Sequence, residues 1–339
     1  MKNDNTVRFT PKNYVVTAVL LAIVTAALAA APYWLGRADL RLAGEIMLYI
    51  SLATLWNLLA GYAGLVSVGQ QAYVGLGGYM LFAFTIFIGV PPILAIPIAG
   101  VIGALLAIPV AFLVFRLRGA YFAIGTWVIA EVFRLSFAQI SALGGGSGTS
   151  IPASIVKSMA ETRAARESLS YWLAFGLAAF IILFVYLYLR SSKGLALTAI
   201  RDNELAASSL GIDIWKTKFF TYVVSAALTS MVGALIFLQK LRISPDAAFS
   251  VNDWTAFVIF IVVIGGIGTI EGPIIGAIIF FALRETLADL GTGYLITLGV
   301  VAIIIMLKAP NGIWGILRDR FDISFFPLLY RVENQKQDR

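Results

Sequence analysis

Apolar residues fill long uninterrupted stretches of this chain, separated by short polar breaks. Ten stretches can be read, at residues 14–35, 42–60, 69–89, 93–115, 119–138, 171–189, 217–240, 254–267, 272–288 and 291–307. Most approach the roughly 20 residues that a helix needs to cross a bilayer core. In lipid each backbone polar group must be satisfied within the element, which favours helices. The pattern predicts an all-α, polytopic transmembrane helical bundle of about eight to ten crossings. Segments 254–267 and 272–288 are short and separated by glycine, so they are either full crossings or a re-entrant pair. Segment 69–89 opens on polar residues and carries the same ambiguity. Glycine-interrupted or re-entrant helices are therefore expected.

The pattern divides the chain into an N-terminal tail (1–13), a transmembrane domain (14–307) and a C-terminal tail (308–339). The first apolar stretch is too long for a signal-peptide core and reads as a retained helix. Two connections are long. Residues 139–170 open on Leu-Gly-Gly-Gly-Ser-Gly and continue into a polar stretch from Lys157 to Ser170. They predict a flexible turn and a short surface helix. Residues 190–217 are too polar to cross, and their core, 194–213, predicts one short helix bracketed by Gly194 and Gly211.

Composition strengthens the membrane reading. The 339 residues are 60% hydrophobic and 13% charged, against about 25% charged in a soluble domain, and mean hydropathy is +0.90. Cysteine and histidine are both absent. That excludes disulfides, thiolate chemistry and His-containing triads, and removes the commonest transition-metal ligand. No segment has metal-ligand spacing, so neither a catalytic residue nor a metal site is expected. The net charge of +7 comes from basic residues in short loops and tails, which argues for membrane topology and against a nucleic acid partner. Lys2, Arg8, Lys12, Arg116, Arg118, Arg190, Lys193, Arg201, Lys216, Lys218 and the basic tail fall on one side. This predicts both termini cytoplasmic, loop 190–217 cytoplasmic and loop 139–170 exterior. Lys157, Arg163 and Arg166 lie in the exterior loop, but long loops translocate largely regardless of charge.

Candidate functional residues form three groups. Gly61, Gly64, Gly69, Gly75, Gly77 and Gly78 crowd one stretch; Gly265, Gly266, Gly268, Gly272 and Gly276 crowd another. Gly268, Gly272 and Gly276 would share one face if helical. They either pack helices closely or line a transport path. Among polar residues within spans, Glu131 and Arg134 sit three apart and can pair. Glu45 lies near an outer helix end, and Gln70 and Gln71 open the third span. The last group is Arg201-Asp202-Asn203-Glu204 with Leu205, Ala206, Ala207 and Leu210, either a solvated amphipathic helix or a docking element. No G-x-x-x-x-G-K-[ST] loop occurs, so the chain is not expected to hydrolyse nucleotide.

Five segments, in order, resemble branched-chain amino acid ABC importer permeases of the LivM type. They are GYAGLVSVGQQAYVGLGGYM (61–80), RLRGAYFAIGTWVIAEVFRL (116–135), GGGSGT (144–149), GLALTAIRDNELAASSLGID (194–213) and VVIGGIGTIEGPIIGAIIF (262–280). The resemblance implies a permease subunit in a cell inner (plasma) membrane. Its implied partners are a second homologous permease, two cytoplasmic ATPase subunits that use ATP, and an external substrate-binding protein. No cofactor is implied for the chain itself. The resemblance assigns ATPase coupling to 194–213, with Arg201, Asp202, Asn203, Glu204, Ala206, Ala207 and Gly211 as candidates. Glu204, Ala206, Ala207 and Gly211 match the family's "EAA…G" signature, with Leu205 interposed and the glycine one position late. Candidate path residues are Gly64, Gly69, Gln70, Gln71, Glu131, Gly265, Gly268 and Gly272. The alternatives are a permease for urea or short amides, and a stand-alone secondary transporter with Glu131 as its carboxylate.

Overall fold

The computed structural model describes residues 7–8, 14–160, 162–287, 293–309, 311–321, 325–326 and 331–332. Most of the expected tail 1–13, with Lys2 and Lys12, lies outside the described residues, as do Lys336 and Arg339. The chain forms an all-helical bundle. The lower face is defined here as the one that carries residues 192–213. Helix α1 (Tyr14–Ala29) is followed by α2 (Arg37–Asn57), which descends and widens into a π turn at Leu58–Tyr62. Helix α3 (Gln70–Ala83) rises, and α4 (Pro92–Val114) and α5 (Ala120–Ala138) complete a second descent and ascent. Across the upper face run β2 (Thr149–Ser150) and α6 (Ala153–Met159), before α7 (Arg163–Arg190) descends. Helices α8 (Ser192–Asp202) and α9 (Glu204–Ser209) lie on the lower face, and α10 (Ile214–Lys240) rises from them. After β3 (Arg242–Ile243) come α11 (Pro245–Ala248), a π turn at Asn252–Ala256 and α12 (Phe257–Gly265). Helices α13 (Glu271–Thr286), α14 (Gly293–Lys308) and α15 (Gly312–Phe321) follow.

Seven helices among the described residues are long and apolar enough to cross a bilayer, or eight if the 42° bend between Ile296–Lys308 and Gly312–Arg318 falls within one span. Residues 245–265 count as one of the seven, so the segment expected at 254–267 begins nearer the upper face than its apolar run suggested. Helix α13 has 16 residues, about 24 Å of helix. It runs antiparallel to α2 and is fixed to it at both ends. Arg284 Nη1 donates to Glu45 Oε1 at 2.8 Å above, and Asn57 bonds the Gly268–Thr269 backbone below. Strand β1 (Val7–Arg8) pairs antiparallel with β4 (Arg331–Val332).

Helix α10 occupies the centre, against α2, α3, α4 and α7. Small residues let it get there. A β-carbon on Gly77 would lie 1.9 Å from Ser230 O, and one on Gly233 would lie 2.2 Å from Val74 O, so α3 and α10 touch backbone to backbone. Close approach through small residues is how membrane helices associate when lipid supplies no hydrophobic drive. At the upper end Tyr79 stacks on Phe137, with ring centroids 4.6 Å apart.

Three local expectations need correction. Segment 194–213 is two helices, because Asn203 adopts an extended backbone and turns its side chain to cap α9, accepting from Ala206 N at 3.0 Å. Gly194 lies inside α8, where a β-carbon would strike Leu189 O at 2.1 Å. In loop 139–170 the polar stretch from Lys157 to Ser170 spans the end of α6 and the first turns of α7, which begins at Arg163. The loop's short helix is α6, and the glycine turn is held by β2–β3 pairing. Finally, Gly268 precedes α13 and takes a φ of +75°. Only Gly272 and Gly276 form a helical stripe.

Candidate functional site

The two glycine-rich breaks meet at the lower face. Where α2 ends, Asn57 Nδ2 donates to Thr269 O at 2.7 Å, and Gly268 N donates back to Asn57 Oδ1 at 2.8 Å. One carboxamide thereby satisfies two backbone groups freed where the second break leaves helical geometry, as intramembrane breaks require. Gly61 sits directly against this turn. A β-carbon there would lie 2.7 Å from Gly268 N. Real β-carbons essentially never come so close, so only glycine fits without moving backbone.

Helix α8 completes the junction. Arg201 Nη1 donates to Gly61 O at 3.0 Å, while Nε and Nη2 donate to Asp202 Oδ1 at 3.0 and 2.8 Å. The π turn at Leu58–Tyr62 leaves carbonyls displaced from regular helical register, and the guanidinium takes one of them. The surface segment is thus hydrogen-bonded to the first break, at the glycine that lies against Gly268 of the second.

Each break is also packed. Loop 63–69 docks on α5: Val68 N donates to Thr126 Oγ1 at 3.1 Å, and a β-carbon on Gly69 would lie 2.2 Å from Thr126 O. Gly64 is exposed, with a φ of +67°. Gly265 packs on Gly272, with 1.8 Å from a notional β-carbon to Gly272 O, and Gly276 packs likewise on Ile261 O. Glu271, the first residue of α13, is buried and accepts the N–H groups of Phe325 and Phe326 at 3.0 and 2.8 Å.

The remaining candidates separate. Gln70 and Gln71 are buried inside the chain. Gln70 Nε2 donates to Leu52 O at 2.9 Å, and Thr255 Oγ1 donates to Gln71 Oε1. Glu131 is far from the junction, on the upper half of α5, where Arg134 pairs with it at 2.6 Å and with Asp246 of α11 at 2.7 Å. On α9, Glu204 pairs with Lys218 at the base of α10 and Ala207 is buried. Ala206, Leu205 and Leu210 face outward, the two leucines about 80% exposed. Gly211 has a φ of +82° and ends α9.

Sequence reasoning missed Asn57, Thr269 and Glu271. Asn57 and Glu271 carried a usable signal, since polar side chains within apolar spans are expensive and mark structural or functional contacts.

Residues 38–309 match the family described as the branched-chain amino acid transport system permease component. The high-affinity branched-chain amino acid transport system permease protein LivM of Escherichia coli is 27% identical over 335 residues, 92% of this chain and 77% of that protein. A probable branched-chain amino acid transport permease LivM of Methanocaldococcus jannaschii is 27% identical over 282 residues, 71% of this chain and 78% of the relative. The ribose import permease RbsC of Bacillus subtilis is 32% identical over 132 residues, 38% of this chain and 41% of that protein. No solved structure matches the chain. With a match that spans both glycine breaks and the α8–α9 segment between them, this chain belongs to the branched-chain amino acid transport permease family.

Proposed function

We propose that this chain is the membrane-spanning permease subunit of an ATP-driven ABC importer for branched-chain or related amino acids delivered by an external binding protein. The match over residues 38–309 carries this reading. The chain binds no cofactor. ATP is used by two partner ATPase subunits, and a second homologous permease completes the passage. The lower face is cytoplasmic, an orientation supported by Arg116, Arg118, Arg190, Lys193, Arg201, Lys216 and Lys218, which gather there.

In this reading α8 and α9 are the coupling element. Arg201, Asp202, Asn203, Glu204, Ala206, Ala207 and Gly211 shape it, and exposed Leu205 and Leu210 meet the ATPase. Closure of the ATPases displaces α8–α9. Arg201 passes the displacement to Gly61, and Asn57 passes it to Gly268. Helices α2 and α3 at one break, and α12 and α13 at the other, then change their relative tilt. Nucleotide shifts this equilibrium only by its differential affinity for the two arrangements. Gly64, Gly69, Gly265, Gly268 and Gly272 are the moving ends of the path, Gln70 and Gln71 are polar groups beside it, and Glu131 lies at its upper mouth.

The test is to tag the C-terminus, extract native membranes in mild detergent and identify co-purifying chains by mass spectrometry. Stoichiometric recovery of a second permease and ATPase subunits is expected. Reconstituted complex should then take up labelled leucine ahead of labelled urea. Recovery of this chain alone, in a form that supports gradient-driven flux, would overturn the proposal.

A further inference from the structure

The turn between α12 and α13, residues 266–270, is held from three directions. From α2, Asn57 bonds the Gly268–Thr269 backbone. From α15, Gly312 presses on the turn so closely that a β-carbon there would lie 2.4 Å from Gly266 Cα. The third hold is at Glu271, just past the turn, and comes from the C-terminal segment. Phe325 N and Phe326 N both donate to Glu271 Oε1, at 3.0 and 2.8 Å. Pro327 follows in the sequence, and the residue before a proline is disfavoured in helix. N–H groups outside a helix need an acceptor from elsewhere. One carboxylate oxygen serves both, in bonds stronger than those between neutral groups. The rings follow the backbone. Phe325 stacks on Trp314 of α15 with centroids 5.6 Å apart, and Phe326 meets Tyr186 of α7 edge-on at 5.4 Å.

The three holds differ in kind. At Gly61–Gly268 and at Gly266–Gly312 backbones touch, and neither contact yields without moving a helix. The C-terminal hold converges on a single oxygen atom, and Phe325 and Phe326 are only half-buried. Few atoms must let go for it to come away, and segments with few buried contacts open at low cost. We propose that Phe325–Phe326 is a releasable strap on the second glycine break. Docked on Glu271, it ties the start of α13 to α7 and α15. Released, it frees residues 266–272 while the rest of the bundle stays packed. Glu271 is the positioning residue of this device. The strap is a property of the chain itself and does not rest on the importer reading.

Hydrogen exchange of the full-length chain in lipid nanodiscs, corrected for intrinsic rates, tests the strap. Two amides report on the turn, since Gly268 N donates to Asn57 Oδ1 and Gly272 N to Thr269 Oγ1. Phe326→Pro removes a donor on the strap side, and Glu271→Ala removes the acceptor on the other. Each should quicken exchange over 266–272 at least about tenfold, the size of one charge-assisted hydrogen bond lost. Residues 230–238, in the packed α3–α10 seam, should keep the native rate. Glu271→Gln retains an acceptor oxygen and should fall between. The chain has no cysteine, so Tyr186→Cys and Phe326→Cys can be joined selectively by a short bismaleimide, which should slow exchange over 266–272 again. Native exchange there in either Phe326→Pro or Glu271→Ala overturns the proposal. So does equal quickening over 230–238, which would make the contact a general support of the fold. A joined pair that exchanges no more slowly than the unjoined one overturns it as well.

Discussion

Arg201 and Gly61 are 140 residues apart in the sequence, and Arg201 Nη1 donates to Gly61 O at 3.0 Å. A helix that lies outside the apolar spans is thus bonded to the first break within them. Gly61 in turn lies against Gly268 of the second break. A push on α8 has a short physical route to both.

Arg201→Ala should therefore separate ATP hydrolysis from transport. Hydrogen bonds from charged donors contribute about 1.5–3 kcal/mol, and partial exposure reduces that here to about 1 kcal/mol. Thermal stability should fall slightly. Uptake by the reconstituted complex should fall about fivefold, the factor that about 1 kcal/mol represents, with ATPase activity retained. Uptake and hydrolysis falling in strict proportion would show that the contact only supports folding.

Glycine substitutions should rank by the space available. Gly61→Ala must push against Gly268 N, and overpacking of this kind costs about 1–3 kcal/mol. Gly176, on α7, has nothing within 4 Å of its notional β-carbon, so Gly176→Ala should be neutral within about 0.5 kcal/mol. Melting curves in detergent measure the difference. A Gly61→Ala protein as stable and active as Gly176→Ala would remove the junction from the mechanism.

Charge reversal at Glu204 should act at the base of α10. Its partner Lys218 is largely buried, and Glu204→Arg loses the ion pair, about 0.2–1 kcal/mol, and sets two like charges together. The variant should insert and accumulate normally but couple poorly. Normal ATP-driven uptake at normal expression would refute the role given to α9.

The upper fastening of α13 to α2 should be transferable. Glu45→Ala should cost about 1 kcal/mol or less, since both partners are partly exposed. Combining Glu45→Arg with Arg284→Glu should restore part of the stability that either reversal removes. A double-mutant cycle with no coupling energy would count against the antiparallel fastening.

Acid should loosen the start of α10. The Asp213 carboxyl is held below the usual carboxylate range, chiefly because it accepts the Lys216 N–H and next because the Lys216 ammonium bonds it. A depressed folded value stabilises the helix above the unfolded value of about 4. The contribution is lost as pH falls through the lower folded value. Hydrogen exchange at residues 214–216, corrected for intrinsic rates, should stay constant from neutral pH to about 5 and quicken below about 4. Asp213→Ala should exchange quickly throughout.

The apolar segments announced most helices, because a bilayer solvent leaves few other structures for such runs. Boundaries slipped where polar residues continue a helix beyond lipid, as in the first turns of α7. The break at Asn203 went unread although asparagine is a favoured N-cap; the extended Asn203 backbone and its side chain's bond to Ala206 N reveal it. The glycine clusters were visible, but their meeting was not: Asn57 and Gly268 are 211 positions apart, and no local pattern records such a pairing. Glu131 drew notice as an intramembrane charge, and its neighbour Arg134 explained half of its surroundings. Asp246, on another helix, joins the cluster through Arg134.

The junction also constrains how this sequence can diverge. Position 57 needs a side chain that both donates and accepts, position 61 cannot carry a β-carbon, and position 268 must supply an N–H from a left-handed turn. A change at any one leaves the other two without purpose. These sites should drift as a linked set, and descendants that lose Asn57 should show the mark of compensation at 61 and 268.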